Sequence, residues 1–392
     1  MSMISRQEAE ALIQEQLVST IFQDTPKSSV FMQMARKLPN MTSKQTRIPV
    51  LDMLPTAYWV NGDTGFKQTS QAAWDNVYLT AEELAVIVPI PEAVLADASF
   101  DILGEIQPRI VEAIGKRVDS AVIFGVNRPA AWPLDIVTRA RQAGNNVSGA
   151  SVTYDALLGT SGVISKIEED GYMSTGGLAS MGMRSKLRAI KDDAGHPLFT
   201  TGMQGATQYA LDGAPLYFPQ NGAFDATIAQ LIVGDWSQAV YAIRQDVTVK
   251  ILTEGVIQDP SDKSIIYNLA QQDMIALRVV FRMGWALPNP ATRMDEDRVG
   301  CPFAYLEPSS AMTDYSLTFT VQDSSNQAIE GVIVSVENAR IKTNSSGQAV
   351  FHLRNGTYSY KVLGGSSYNN SAGTKTINGS NGTQTVTLTA KS

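Results

Sequence analysis

The sequence predicts an α+β body followed by a small all-β sandwich, and three observations carry that prediction. The composition changes abruptly near Met312–Asp314. Ahead of that point, apolar residues recur every four positions through Asp97–Gly125, the spacing of one helix face. Earlier still, two strand patterns flank a polar, glycine-bearing stretch between Arg47 and Pro91.

That stretch begins as Arg47-Ile48-Pro49-Val50-Leu51 and returns over Asn76–Pro91, around the tip Asn61-Gly62-Asp63-Thr64-Gly65. Two arms of about 15 residues at about 3.3 Å each would reach roughly 50 Å. A hairpin of that length is marginal in water alone and needs a second surface, its own domain's or a neighbour's. The helix that follows carries Ile102, Ile106, Ile110, Ile114 and Val118, with Val111 and Val122 widening the stripe. Ser99 suits its N-cap, Asp101 its first turn and Gly125 its stop. Pro108 is expected to bend or split it. Tyr154–Asp170 reads as a helix closed by Gly171, and Met181–Asp193 as another closed by Gly195. Strands are expected over 231–236, 239–243, 247–252 and 274–283.

After the connector Glu307–Thr313 the chain is rich in Ser, Thr, Asn, Gly and Val. Ser316–Val321, Gly331–Val336, Ala349–Leu353, Thr357–Val362 and Thr383–Leu388 are short strands at sandwich spacing. Asn-Gly and Ser-Gly pairs supply the turns. Five Asn-x-Ser/Thr triplets, at Asn344, Asn355, Asn369, Asn378 and Asn381, fit that turn chemistry. Tyr358 and Tyr360 are expected to face the core.

Composition narrows the function. The net charge of −7 argues against a protein held to nucleic acid by a basic stripe. No run approaches the roughly 18 apolar residues of a membrane span, and Met1–Leu17 lacks the pattern of a signal peptide. The lone Cys301 fits a reducing compartment. His196 follows a helix-ending glycine and precedes a proline, as a solvated turn residue would, and His352 falls on a strand surface. Neither has the context of a catalytic triad. Asp295-Glu296-Asp297 and Glu168-Glu169-Asp170 read as wet loops and faces, and Gly202-Met203-Gln204-Gly205 lacks the Lys-Ser/Thr of a phosphate loop. No catalytic, cofactor-binding or metal-ligating set emerges.

Four stretches taken in order carry a family resemblance. They are Ala81–Asp97, Phe100–Gly125, Leu187–Leu198 with Leu211-Asp212-Gly213-Ala214-Pro215-Leu216 downstream, and Ile232-Val233-Gly234-Asp235-Trp236. Together they resemble the HK97-like major capsid proteins of tailed bacteriophages over about residues 20–306. The resemblance implies an N-terminal arm over 1–45 lying along neighbours, and an extended loop over 46–90. It further implies a peripheral domain with its spine helix over 91–130 and 270–312, and an axial domain over most of 131–269. Residues 314–392 resemble bacterial immunoglobulin-like or carboxypeptidase-regulatory-like modules through Ile329–Val334, Thr343–Gly347 and Gly356-Thr357-Tyr358.

The implied function is assembly. Copies would form hexamers and pentamers of an icosahedral shell around double-stranded DNA, with a portal and a separate scaffolding protein, or none, as further partners. Trp59, Asn61, Asp63, Phe66 and Lys67 at the loop are the candidate inter-subunit contacts. Some family members join a loop lysine covalently to a neighbour's asparagine. Lys67 lies near the loop tip, where an ordinary solvated lysine or a salt bridge is the favoured reading and such a bond the alternative. The C-terminal domain would sit on the outer surface, either as decoration or in weak contact with glycans. Rival readings are an encapsulin-like nanocompartment and a glycan-binding adhesion protein that displays the β-domain.

Overall fold

The computed structural model describes residues 29–60, 66–67, 69–97, 101–148, 152–192, 194–199, 209–308 and 314–391. A four-stranded sheet orders Arg36–Lys37, Val240–Leu252, Met274–Ala286 and Glu82–Pro91. The long helix Ile102–Phe124 packs across it. Its buried Ile110, Ile114, Val118, Ala121 and Val122 share one apolar core with Leu277, Val279, Phe281 and Met283.

Asp101 caps that helix by accepting from the Gly104 N–H at 3.1 Å, and Gly125 ends it in the left-handed region at φ +67°. The expected cap, Ser99, lies outside the described residues. Pro108 does not split the helix, which runs unbroken for 23 residues. The reason is local: Pro108 sits in the second turn on the solvent side, and the carbonyl it leaves unbonded belongs to exposed Gly104. Pro108→Ala is therefore expected to restore one helical hydrogen bond and stabilise the protein by about 1–3 kcal/mol. Urea unfolding measures this as a raised midpoint at unchanged slope.

Other expectations need correction. The helix foreseen over Tyr154–Asp170 is two, Tyr154–Leu158 and Val163–Glu169, broken at Gly159 and Gly162. A Cβ at either glycine would lie 2.7–2.8 Å from the Asp155 carbonyl, so the turn depends on both. The second helix is shorter than foreseen, Met183–Ala189. The return strand Asn76–Pro91 breaks at Ala81. Ala73–Thr80 stays in the hairpin with Gln45–Met53, while Glu82–Pro91 pairs with Met274–Ala286. Gly284 permits this crossing, because a Cβ there would meet the Thr80 carbonyl at 2.8 Å.

A six-stranded sheet forms the second half of the body, ordered Asn146–Ser148, Phe303–Glu307, Leu231–Gly234, Gly176–Ala179, Ala214–Tyr217 and Ala210–Leu211. The segment 270–312, expected to stay with the long helix, is thus divided between the two sheets. Residues 29–45, the described part of the foreseen N-terminal arm, pack on their own body. Arg36–Lys37 pairs with Val240–Tyr241, Leu38 and Met41 donate to the Tyr241 and Ile243 carbonyls, and Phe31 is fully buried.

The C-terminal region is a seven-stranded sandwich. One sheet orders Gln348–Leu353, Tyr315–Asp323 and Gly382–Leu388. The other orders Ala339–Lys342, Ile333–Val336, Gly356–Leu363 and Ser371–Ile377. Phe319, Phe351, Val334, Val362 and Tyr358 fill the space between them, and Tyr360 packs against Phe319. Asn344 accepts from the Ser346 and Gln348 N–H groups, the turn role expected of it.

Candidate assembly surface

The hairpin pairs Gln45–Met53 with Ala73–Thr80 and slips register between Leu51 and Met53. Its paired arms hold 9 and 8 residues, about 30 Å rather than the 50 Å foreseen. Leu79 near its base and Val50 towards the outer end of the paired arms are buried. Farther out, the character reverses. Trp59 and Phe66 are 103% and 97% exposed, and Met53, Tyr58, Trp74 and Tyr78 are exposed with them. A soluble monomer rarely presents so many aromatic side chains on one projection, so this face is built to be covered. Lys67 is exposed beside Phe66. Asn61 and Asp63 lie outside the described residues.

Four charges hold the hairpin where it leaves the body. Arg298, from the loop before Phe303–Glu307, donates to Asp52 at 2.7 Å and to Asp75 at 3.3 Å. Arg340, from the sandwich, donates to the same two carboxylates at 3.1 and 3.2 Å. Both guanidinium groups are buried, and two like charges tolerate this because each faces both aspartates. Burial opposes the ionised form of Asp52, but Arg298 and Arg340 outweigh it and hold the carboxyl below its ordinary value. Arg298 is further fixed by the Asn289 and Pro288 carbonyls at 2.7 and 3.0 Å.

The sandwich is seated on the body, not merely tethered to it. Arg139, fully buried on the helix Ile136–Gln142, donates to the Asn338 carbonyl at 3.0 Å and to Gly300 at 2.6 Å. Asn338 accepts from the Leu134 N–H at 3.1 Å, and the Leu134 side chain joins the sandwich core. Gln142 pairs with both backbone groups of His352, and Arg128 with Glu337 at 3.0 Å.

A second anchor lies on the long helix. Asp119 is buried and accepts from Ser29 Oγ at 2.5 Å, Val30 N at 3.0 Å, Phe31 N at 3.1 Å and Asn221 Nδ2 at 2.6 Å. Burial still lifts its carboxyl above the ordinary value, against those four hydrogen bonds. One side chain thereby fixes the amino-terminal segment and the loop at 221 to the helix.

The groups that could do chemistry are scattered. His196 is an exposed turn residue beside Asp192, and His352 is a half-exposed strand residue. Cys301 is buried, which pushes its thiol up to about 11. Asp295 serves its own loop, accepting from Val299 and Gly300 N–H at 3.0 and 2.8 Å. Among the described residues no cluster of His, Cys, Asp and Glu could hold a metal, and no helix is long and apolar enough to cross a membrane.

A two-sheet body and a projecting aromatic hairpin suit a building block, and the comparison with known families agrees. Residues 9–292 match the Phage capsid family. The chain belongs to that family. A curated relative, the major capsid protein of Staphylococcus phage 80alpha, is 25% identical over 315 residues, 80% of this chain and 90% of that one. A solved chain from Microbacterium phage Oxtober96 is 33% identical with a TM-score of 0.69, covering 78% of this chain and all of the other. One from Mycobacterium phage Bobi is 34% identical with a TM-score of 0.69, covering 79% and 100%. This capsid protein is therefore a structural subunit of the virion shell, not an enzyme. About a fifth of it has no counterpart in those solved chains, and the family match ends at 292, ahead of the sandwich.

Sequence reasoning selected Trp59, Phe66 and Lys67, which are exposed, but missed Asp52, Asp75, Arg298, Arg340 and Asp119. A local signal existed only for Asp119, an acid in the mainly apolar run Val118–Phe124, where Ser120 is the one other polar residue.

Proposed function

We propose that copies of this capsid protein assemble as hexamers and pentamers into an icosahedral shell around double-stranded DNA, with the sandwich on the outer face. The observation that carries this reading is the exposed Trp59 and Phe66 on a hairpin whose base is already fixed to its own body. Their apolar area can be covered only beyond the subunit, and a neighbouring copy is the partner that a shell supplies to every subunit. Trp59, Phe66 and Lys67 are then the contact set, with Lys67 at the position where a covalent bond to a neighbour would form. The six-stranded-sheet region corresponds to an axial domain, and the four-stranded sheet with the long helix to a peripheral domain. The net charge of −7 suits a wall that surrounds the genome without gripping it.

Electron microscopy and sedimentation of the purified full-length chain test the reading. Closed megadalton shells, or rings of five and six where a scaffolding protein is required, are expected. A monomer or dimer that stays so at high concentration, with scaffold co-expressed, would overturn it. DNA inside particles recovered from infected cells separates a virion from an enzyme-filled compartment.

A further inference from the structure

We infer that the C-terminal sandwich is an internal brace: it bridges the body and the projecting hairpin, and through Arg340 it sets the angle at which that hairpin leaves the subunit. This rests on contacts within one chain and does not depend on the architecture proposed for the shell.

The bridge has two ends. At the body end, the turn at Glu337-Asn338 is gripped by buried Arg139, by the Leu134 backbone and by Arg128, while Arg354 donates to the Phe124 carbonyl at the end of the long helix. Leu134 completes the sandwich's own core, so the two bodies share apolar packing as well as hydrogen bonds. At the hairpin end, Arg340 lies on the very next strand, three residues from Glu337, and reaches one aspartate on each hairpin arm. The short distance along the chain between the two ends leaves little slack.

The placement of the aspartates fits a brace. Asp75 pairs with Val50, whereas Asp52 falls at the register slip two residues on, where the two arms lose their regular pairing. Arg298 and Arg340 span that weak point from opposite sides, one from the body and one from the sandwich. Beyond it the sandwich stands off from Met53–Tyr58 across an open cleft of about 860 Å³, lined by Tyr58, Tyr368, Asn370 and Lys391. The sandwich therefore grips the hairpin at the outer end of its paired ladder and leaves the segment beyond uncovered.

Hydrogen exchange on the full-length chain tests this. Arg340→Met removes the charge while keeping the aliphatic stem. It is expected to speed exchange in peptides 45–53 and 73–80 by roughly five- to tenfold, the scale of a half-buried ion-pair network. Lys342→Met breaks the neighbouring bridge to Asp297 on a body loop and is expected to leave the hairpin unchanged. Arg340→Lys should restore the protection in part, since a lysine keeps the charge but not the fork that reaches both carboxylates. Should Arg340→Met disturb the sandwich itself, Asp52→Asn with Asp75→Asn opens the same network from the hairpin side and must reproduce the loosening. Wild-type exchange in the hairpin of a folded Arg340→Met chain, or of the double asparagine variant, overturns the inference.

Discussion

Replacing Trp59 and Phe66 together by serine is expected to abolish closed particles while leaving the subunit folded. Neither side chain has a buried contact to lose in the free subunit, and surface changes of this kind usually shift stability by no more than about 0.5 kcal/mol. In an interface the same rings bury about 150–250 Å² each. Aromatic anchors of that kind lose about 2–4 kcal/mol apiece on truncation. Some 4 kcal/mol per contact weakens each one about a thousandfold. In the proposed shell every subunit would give this contact and receive it, so the loss would be compounded around the particle. The measurement is particle yield by electron microscopy, set beside thermal unfolding of the unassembled subunit. Shells at wild-type yield from the folded double variant would remove the hairpin tip from the interface.

The largest effect on stability is expected at Asp119. Asp119→Ala leaves four donors (Ser29 Oγ, the Val30 and Phe31 N–H groups and Asn221 Nδ2) in a buried site with no acceptor. A buried unsatisfied donor costs about 1–3 kcal/mol, and partial relaxation brings the sum to about 4 kcal/mol. Asp119→Asn keeps one oxygen for two of the donors but turns its own N–H₂ on the others, so it recovers less than half. Denaturant midpoints of the three proteins check the order. The pH dependence adds a sign. Because burial raises the Asp119 carboxyl above 3.8, the folded protein holds its proton at pH values where the unfolded chain has lost it. Stability from this group therefore falls as pH rises from 3.8 through the folded value. Asp119→Asn lacks that component, so the wild-type advantage over it is greatest in acid and narrows towards neutrality. A difference that widened with rising pH would reverse the assignment.

How much of this was legible in the sequence depends on the range of the forces involved. The long helix and the sandwich strands were readable, because period-four and period-two burial is written in neighbouring residues. The helix at 154–170 was misread because its apolar pattern resumes seven positions on, from Leu157 to Ile164, across the polar Gly159-Thr160-Ser161-Gly162, where the backbone turns on two missing Cβ atoms. The single return strand was misread for a related reason. Its alternation changes phase at Glu82-Glu83, from Val77, Leu79 and Ala81 to Leu84, Val86 and Val88, and this local sign of the break was passed over because both halves read as strand. Trp59 and Phe66 were singled out because an aromatic pair beside glycines and polar residues stands out locally, and both are exposed. The clamp was invisible: Asp52 lies 246 residues from Arg298 and 288 from Arg340, and nothing near any of them marks the meeting.

The sandwich places its first strand, Tyr315–Asp323, between Gln348–Leu353 and Gly382–Leu388, and its pairing with the latter is parallel. A growing polypeptide therefore cannot finish that sheet from local hairpins alone. The central strand must wait, with one side open, until the segment from 382 onwards has been synthesised. Chains broken off before that point, by a premature stop or a protease, would carry a complete body and an incomplete partner for Asp52 and Asp75. If the sandwich braces the hairpin as inferred, such truncated copies are expected to hold that hairpin less firmly than the full chain does.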